Sequence, residues 1–278
     1  MTSSFRAACI QTNTGADVAA NLASAADLVR RVRDDGADLI ALPETVNVMD
    51  ASRDVLMSKV GPEQDNPALD GFMDLARETG AWILVGSMLV KDDGAEKMSN
   101  RSFLIDGDGD VRARYDKVHM FDVNLGGSED HRESNHFGAG ATAVLAATPW
   151  CDLGMTICYD LRFAYLYRIL AQAGASVLAT PSAFTRISGQ AHWHILQRAR
   201  AIETGCFVIA PAQCGNHPGN RQTYGHSLIV DPWGNVLADG GEDPGFIAAD
   251  IDLALVDEAR RKIPALTHDR DVELIKFS

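Results

Sequence analysis

The 278-residue chain is long enough for a substantial core, and its 46% apolar and 23% charged residues are ordinary for a globular protein. A net charge of -13 argues against a surface for nucleic acid or anionic membrane, which needs clustered Lys and Arg. No apolar run nears the ~18 residues that span a membrane. The five cysteines without a CxxC pair and the lack of a basic-then-apolar leader make a cytoplasmic location with reduced thiols the expectation.

Phe5 to Ile10 reads as a first strand, and Val18, Leu22, Ala25, Leu28, Val29 and Val32 then keep a helical period that stops at Gly36. Asp38 to Leu42 is a second strand, which completes a β-α-β unit and places Glu44 at a strand's carboxyl end, the edge where open α/β sheets bind ligands. Leu69, Phe72, Met73 and Ala76 give a helix that ends near Gly80, and Trp82 to Val90 a buried strand. Arg101–Ile105 and Val111–Tyr115 flank the turn Asp106-Gly107-Asp108-Gly109 as a hairpin, which Asp116 to Met120 closes. Residues 121–140 have no periodicity; a connection that long reads as a lid or pocket wall.

Ala141–Thr148 and Leu153–Ile157 read as strands, and at Cys158 an apolar run gives way at once to a helical spacing of Phe163, Leu166, Ile169 and Leu170. A strand turning sharply into a helix with a cysteine at the corner has the form of a nucleophile elbow. The alternative for Cys158 is an ordinary buried thiol, as are expected at Cys9, Cys151, Cys206 and Cys214. Ser176–Thr180, a helix marked by Ile195, Leu196, Ala199 and Ile202, and strands at 207–210, 226–230, 235–238 and 246–251 follow. With no linker or repeat, residues 1–278 are expected to form one domain, with two mixed sheets between helix layers.

Glu44, Lys117 and Cys158 all fall at predicted strand ends. A thiol needs a base or a neighbouring cation to become nucleophilic at neutral pH. Glu44 supplies the base. Lys117, with the Tyr159 backbone N–H, supplies an oxyanion site.

The segments Leu42-Pro43-Glu44, Asp116-Lys117-Val118-His119 and Ile157-Cys158-Tyr159-Asp160-Leu161-Arg162-Phe163 resemble the three catalytic motifs of the nitrilase superfamily of carbon–nitrogen hydrolases. Pro181-Ser182-Ala183-Phe184, Ala212-Gln213-Cys214-Gly215 and Tyr224-Gly225-His226-Ser227 followed by Asp231-Pro232-Trp233-Gly234 resemble its amidase-type Nit branch. The resemblance covers about Phe5 to Arg270. It implies a four-layer α-β-β-α sandwich, a homodimer or higher even-numbered oligomer, and a catalytic triad of Glu44, Lys117 and Cys158. Glu133, in Arg132-Glu133-Ser134-Asn135, resembles the family's additional pocket glutamate.

The activity implied is hydrolysis of a small linear carboxylate-bearing amide to a carboxylate and ammonia through a cysteine thioester. Deaminated glutathione is the first expectation, and 2-oxoglutaramate, a nitrile, acyl transfer or an inactive interaction protein are the alternatives. Tyr159, Arg162 and Phe184 are expected to bind substrate, with Arg162 or Arg186 meeting its carboxylate. No cofactor and no metal are expected. His192 and His194 lie two apart on a predicted helix and so point to different sides, and no HExxH pair is present.

Overall fold

The computed structural model describes residues 4–124, 126 and 131–277. Strand β1 (Ser4–Gln11) leads into helix α1 (Val18–Asp34), which starts where the Asp17 carboxylate accepts from the Ala20 N–H at 3.0 Å. After β2 (Leu39–Ala41) and the short α2 (Arg53–Lys59), α3 (Pro67–Thr79) is opened by an Asn66 cap with Pro67 in its first turn. It is closed by Gly80 at φ 65°, a left-handed position that favours glycine. Strands β3 (Trp82–Val90), β4 (Ser99–Ile105) and β5 (Val111–Asp116) follow. The first sheet has the order β1-β2-β3-β4-β5, with β1 to β3 parallel and β4 and β5 antiparallel.

Residues 121–140 show no periodicity in sequence. They nonetheless contain an antiparallel pair, β6 (Asp122–Val123) and β7 (His131–Arg132), while residues 125 and 127–130 lie outside the described residues. Strands β8 (Val144–Ala147) and β9 (Asp152–Met155) precede the elbow and α4 (Ala164–Gln172). Then come β10 (Val177–Ala179), α5 (Arg186–Thr204), β11 (Phe207–Ala210) and the hairpin β12 (Cys214–Asn216) with β13 (Gln222–Tyr224). The chain goes on through β14 (Leu228–Val230), β15 (Val236–Asp239), β16 (Gly245–Asp252) and α6 (Ala254–Lys262). The second sheet has the order β15-β14-β11-β10-β9-β8, again with three parallel strands at its centre, and β16 returns to pair antiparallel with β1.

Strand alternation explains the layering. Along β1, Ala8 and Ile10 join Leu28, Val29 and Val32 of α1 and Leu69 and Phe72 of α3 in one core. Ala7 and Cys9 point the other way, into a second core with Leu153, Met155, Val177 and Val208 of the opposite sheet. That core continues to Leu166 and Tyr167 of α4 and Trp193 of α5. The result is the expected four-layer sandwich, with helices α1 and α3 on one outer face and α4 and α5 on the other.

The elbow differs from the expected direct entry into a helix. A 3₁₀ turn, Cys158–Arg162, comes first, and α4 begins only at Ala164. This shift in phase leaves Ile169 49% exposed, while Leu166, Tyr167, Leu170 and Ala171 form the buried face. Helix α2, hairpin β12–β13 and helix α6 were not anticipated; the first two are short, and α6 is strongly polar, with only Val256 and Ala259 buried.

Candidate active site

Glu44, Lys117 and Cys158 come from three strand ends that the sandwich brings to one place. Glu44 follows β2 by way of Leu42 and Pro43, and Gly86 of β3 lets that segment pass. A Cβ at Gly86 would lie 1.8 Å from the Leu42 carbonyl oxygen and 2.5 Å from Pro181 Cβ. Thr45, next in the chain, is held at φ 53°, where its N–H donates to Ser87 Oγ at 2.8 Å. Lys117 follows β5, and its N–H donates to the Asn100 carbonyl of β4 at 3.0 Å. Cys158 follows β9, and its N–H donates to the Pro181 carbonyl beyond β10 at 2.9 Å.

The charges interlock. Lys117 Nζ donates to Glu44 Oε1 at 2.8 Å and to both Glu133 oxygens at 2.9 Å. Asn100 Nδ2 donates to Glu44 Oε1 at 2.9 Å, and the Ala183 N–H donates to Oε2 at 2.8 Å. The Phe121 N–H donates to Glu133 Oε2 at 2.6 Å. Glu44 is 3% and Lys117 2% exposed, so these contacts act in a poorly solvated space. Burial alone would raise the Glu44 pKa, but the charge and hydrogen bond of Lys117 outweigh it and hold the carboxyl below its ordinary range. Burial alone would lower the Lys117 pKa, but the carboxylates of Glu133 and Glu44 drive it up. The buried Cys158 thiol feels the Glu44 carboxylate; burial first, then the Glu44 charge, push its pKa up, so the resting group is a neutral thiol.

Cys158 has φ +49°, a left-handed backbone position uncommon for a residue with a Cβ. Asp160, fully buried, pins the turn. Its Oδ2 accepts from the Ile157 N–H at 2.8 Å and the Tyr115 hydroxyl at 2.7 Å. Its Oδ1 accepts from the His119 N–H at 3.0 Å and lies 2.6 Å from His119 Nδ1.

The three residues open onto a cavity of about 490 Å³, together with Glu133, Tyr159 and Phe184. That volume suits a small molecule. A carbon–nitrogen hydrolase family profile matches residues 6–261. The chain belongs to the carbon–nitrogen hydrolase family.

Among relatives, it is 40% identical over 270 residues to the human protein named deaminated glutathione amidase, covering 95% of this chain and 81% of the relative. Its structure is similar to that of the NitFhit protein of C. elegans (TM-score 0.89, 36% identity), covering 96% of this chain and 65% of that one. It is also similar to Saccharomyces cerevisiae Nit3, a member of the nitrilase superfamily (TM-score 0.86, 28% identity), covering 95% and 96% of the two chains. The chain is thus a nitrilase-superfamily hydrolase that acts on C–N bonds.

In this hydrolase the expected wall of residues 121–140 is in place, since Phe121, His131, Arg132, Glu133 and His136 line the cavity. Tyr159 and Phe184 line it as well. Arg162 does not: its guanidinium lies 5.8 Å from the Tyr159 ring centroid and 5.4 Å from that of Phe184, beside His192. Arg186 pairs with Glu242 at 2.8 Å. His192 and His194 do diverge: His192 meets Arg162, whereas His194 approaches Asp239 at 3.0 Å. Among the described residues, His194, His226 and Asp239 are spaced to hold a metal ion, and none of them lines the cavity.

Three supporting residues escaped the sequence reading. Asn100 is one of four polar residues, Ser99 to Ser102, at the start of its strand, and nothing local marks it as the one that meets Glu44. Asp160 had one: it stands three residues after Ile157, the spacing by which a side chain reaches back to cap a turn. Arg221 lies in an irregular turn between β12 and β13 and reaches the cavity only through the tertiary fold.

Proposed function

We propose that this hydrolase cleaves a small linear carboxylate-bearing amide through a thioester on Cys158. The observation that carries the reading is that Cys158, Glu44 and Lys117 share the wall of one cavity, with the Glu44 carboxylate held by Lys117 at 2.8 Å. Glu44 takes the thiol proton as sulfur attacks the amide carbonyl. Lys117 and the Tyr159 N–H, at the start of the 3₁₀ turn where backbone donors are unspent, stabilise the oxyanion. Protonated Glu44 then passes its proton to the departing nitrogen, and the thioester remains. Water deprotonated by Glu44 attacks the thioester, and the carboxylic acid leaves as the thiol is regenerated. Glu133 keeps Lys117 charged and aimed.

Deaminated glutathione is the preferred substrate of this reading, supported by the name of the human relative, and 2-oxoglutaramate is the alternative. The two differ in their nitrogen product. Deaminated glutathione has no primary amide, so its cleavage releases a peptide amine and not the ammonia first expected, whereas 2-oxoglutaramate releases ammonia. Amine and ammonia release by wild type, Cys158→Ala and Glu44→Gln tests the scheme. The expected losses in kcat are about 10,000-fold or more for Cys158→Ala and about 1,000-fold for Glu44→Gln. Intact turnover in Cys158→Ala overturns it. Residues 1–278 act in this proposal as one cytoplasmic domain that assembles into an even-numbered homo-oligomer.

A further inference from the structure

Arg221 stands on the cavity wall and forms no salt bridge among the described residues, although its charge helps to lower the Glu44 pKa. Its Nη2 donates to the Ala183 carbonyl at 3.0 Å, and its buried Nε has no hydrogen-bond partner. The turn that carries it is closely fixed. Gly219 (φ 76°) and Asn220 (φ 62°) are both left-handed, and the His217 N–H donates to the Arg221 carbonyl at 2.8 Å. A Cβ on Gly219 would lie 2.7 Å from Ala51 Cβ, so the turn sits tightly against the opposite loop.

Other cations near the cavity are already engaged. Lys117 is held by two carboxylates. Arg132 donates to the Val123 and His131 carbonyls at 2.8 and 2.7 Å and to Asn124. Nor is Arg221 spent on the acids of the wall. Both Glu44 oxygens take their hydrogen bonds from other donors, and Asp50 pairs with Lys59 at 3.0 Å. A guanidinium presents up to five donors in a planar fork that matches a carboxylate.

We propose that Arg221 is the anion subsite of this cavity and binds a carboxylate on the acyl half of the amide substrate. The choice of the acyl half follows from spacing. Arg221 is tied to the carbonyl of Ala183, and the N–H of that same residue faces Glu44 and Cys158. The fork and the reacting groups therefore stand against the two ends of one residue, each one hydrogen bond away from it. A carboxylate joined to the scissile carbonyl by a short carbon chain spans that gap, and it stays bound while the thioester waits for water. This inference rests on the amidase reading above.

The test compares glutaramate with pentanamide, its neutral counterpart of equal length, as substrates for wild type, Arg221→Ala and Arg221→Lys. It also measures binding of glutarate, the dicarboxylate product, by calorimetry. In Arg221→Ala, kcat/KM for glutaramate is expected to fall about 10- to 100-fold, chiefly through KM, with a loss for pentanamide at least tenfold smaller. Arg221→Lys, which keeps the charge but not the fork, is expected to fall between the two and answers for any misfolding of the alanine variant. Equal losses for both amides overturn the subsite and make Arg221 a support for Ala183. If wild type hydrolyses neither amide, the calorimetry still decides. Glutarate affinity lost in Arg221→Ala keeps the subsite while the amidase reading fails, and unchanged affinity overturns the subsite.

Discussion

The Cys158 thiol and the Glu44 carboxyl are displaced in opposite directions, the first up by burial and the Glu44 charge, the second down by Lys117. Neither group changes protonation near neutrality. Plots of log kcat/KM are therefore expected to be flat from about pH 6 to 8, with loss only in acid as Glu44 is protonated below the ordinary carboxylate range. A rise centred near the ordinary thiol value of about 8.5 would mean that Cys158 ionises directly and that Glu44 is not its base. The same displacement links Glu44 to stability. Its contribution is full above the unfolded carboxylate value and is lost as pH falls through the depressed folded value. The motif residues were legible in sequence because they lie next to strand ends, but the direction of these shifts depends on groups 73 residues apart for Lys117 and Glu44.

The elbow is an element whose conformation is imposed from outside it. Asp160 satisfies the Ile157 N–H, the Tyr115 hydroxyl and two donors of His119, all in a buried space. Asp160→Asn replaces one acceptor with a donor that faces other donors, so we expect about 3 kcal/mol of stability to be lost and the left-handed Cys158 position to relax. Denaturant unfolding checks the first part. A fall in activity in whatever fraction stays folded checks the second. Gly86→Ala acts on the neighbouring element: its Cβ would meet two backbone carbonyls and Pro181, obstacles that cannot rotate away. A loss of about 3 kcal/mol or failure to yield soluble protein is expected, against less than about 1 kcal/mol if the Glu44 segment can move aside.

At the scale of the whole molecule, charge and layering leave apolar groups uncovered. Ile187, Ile195 and Ile202 of α5 are 60%, 69% and 54% exposed, and Val272, Leu274 and Phe277 of the tail are more exposed still. The marked period of α5 thus reports surface as well as core: Trp193, Gln197, Arg200 and Ala201 are among its buried positions. These groups support the proposed homo-oligomer, and sedimentation velocity checks it. Wild type is expected to run as an even-numbered assembly, and removal of residues 271–278 to weaken association at least tenfold. A monomer at micromolar concentration would refute the assembly.

Element types and the family were legible from local pattern, because side-chain period, turn residues and motif spacing are properties of neighbouring residues. Sequence therefore determined the two sheets, the helices over them and the identities of Glu44, Lys117, Cys158 and Glu133 as candidates. Tertiary structure alone decided which groups support them. Asn100, Ala183 and Arg221 meet Glu44 or one another from separate elements, and Arg162, four residues after the cysteine, lies near the Tyr159 and Phe184 rings without lining the cavity. A period of two or 3.6 residues fixes the face on which a side chain stands. What that face meets is fixed by how the two sheets pack, and no local spacing encodes it.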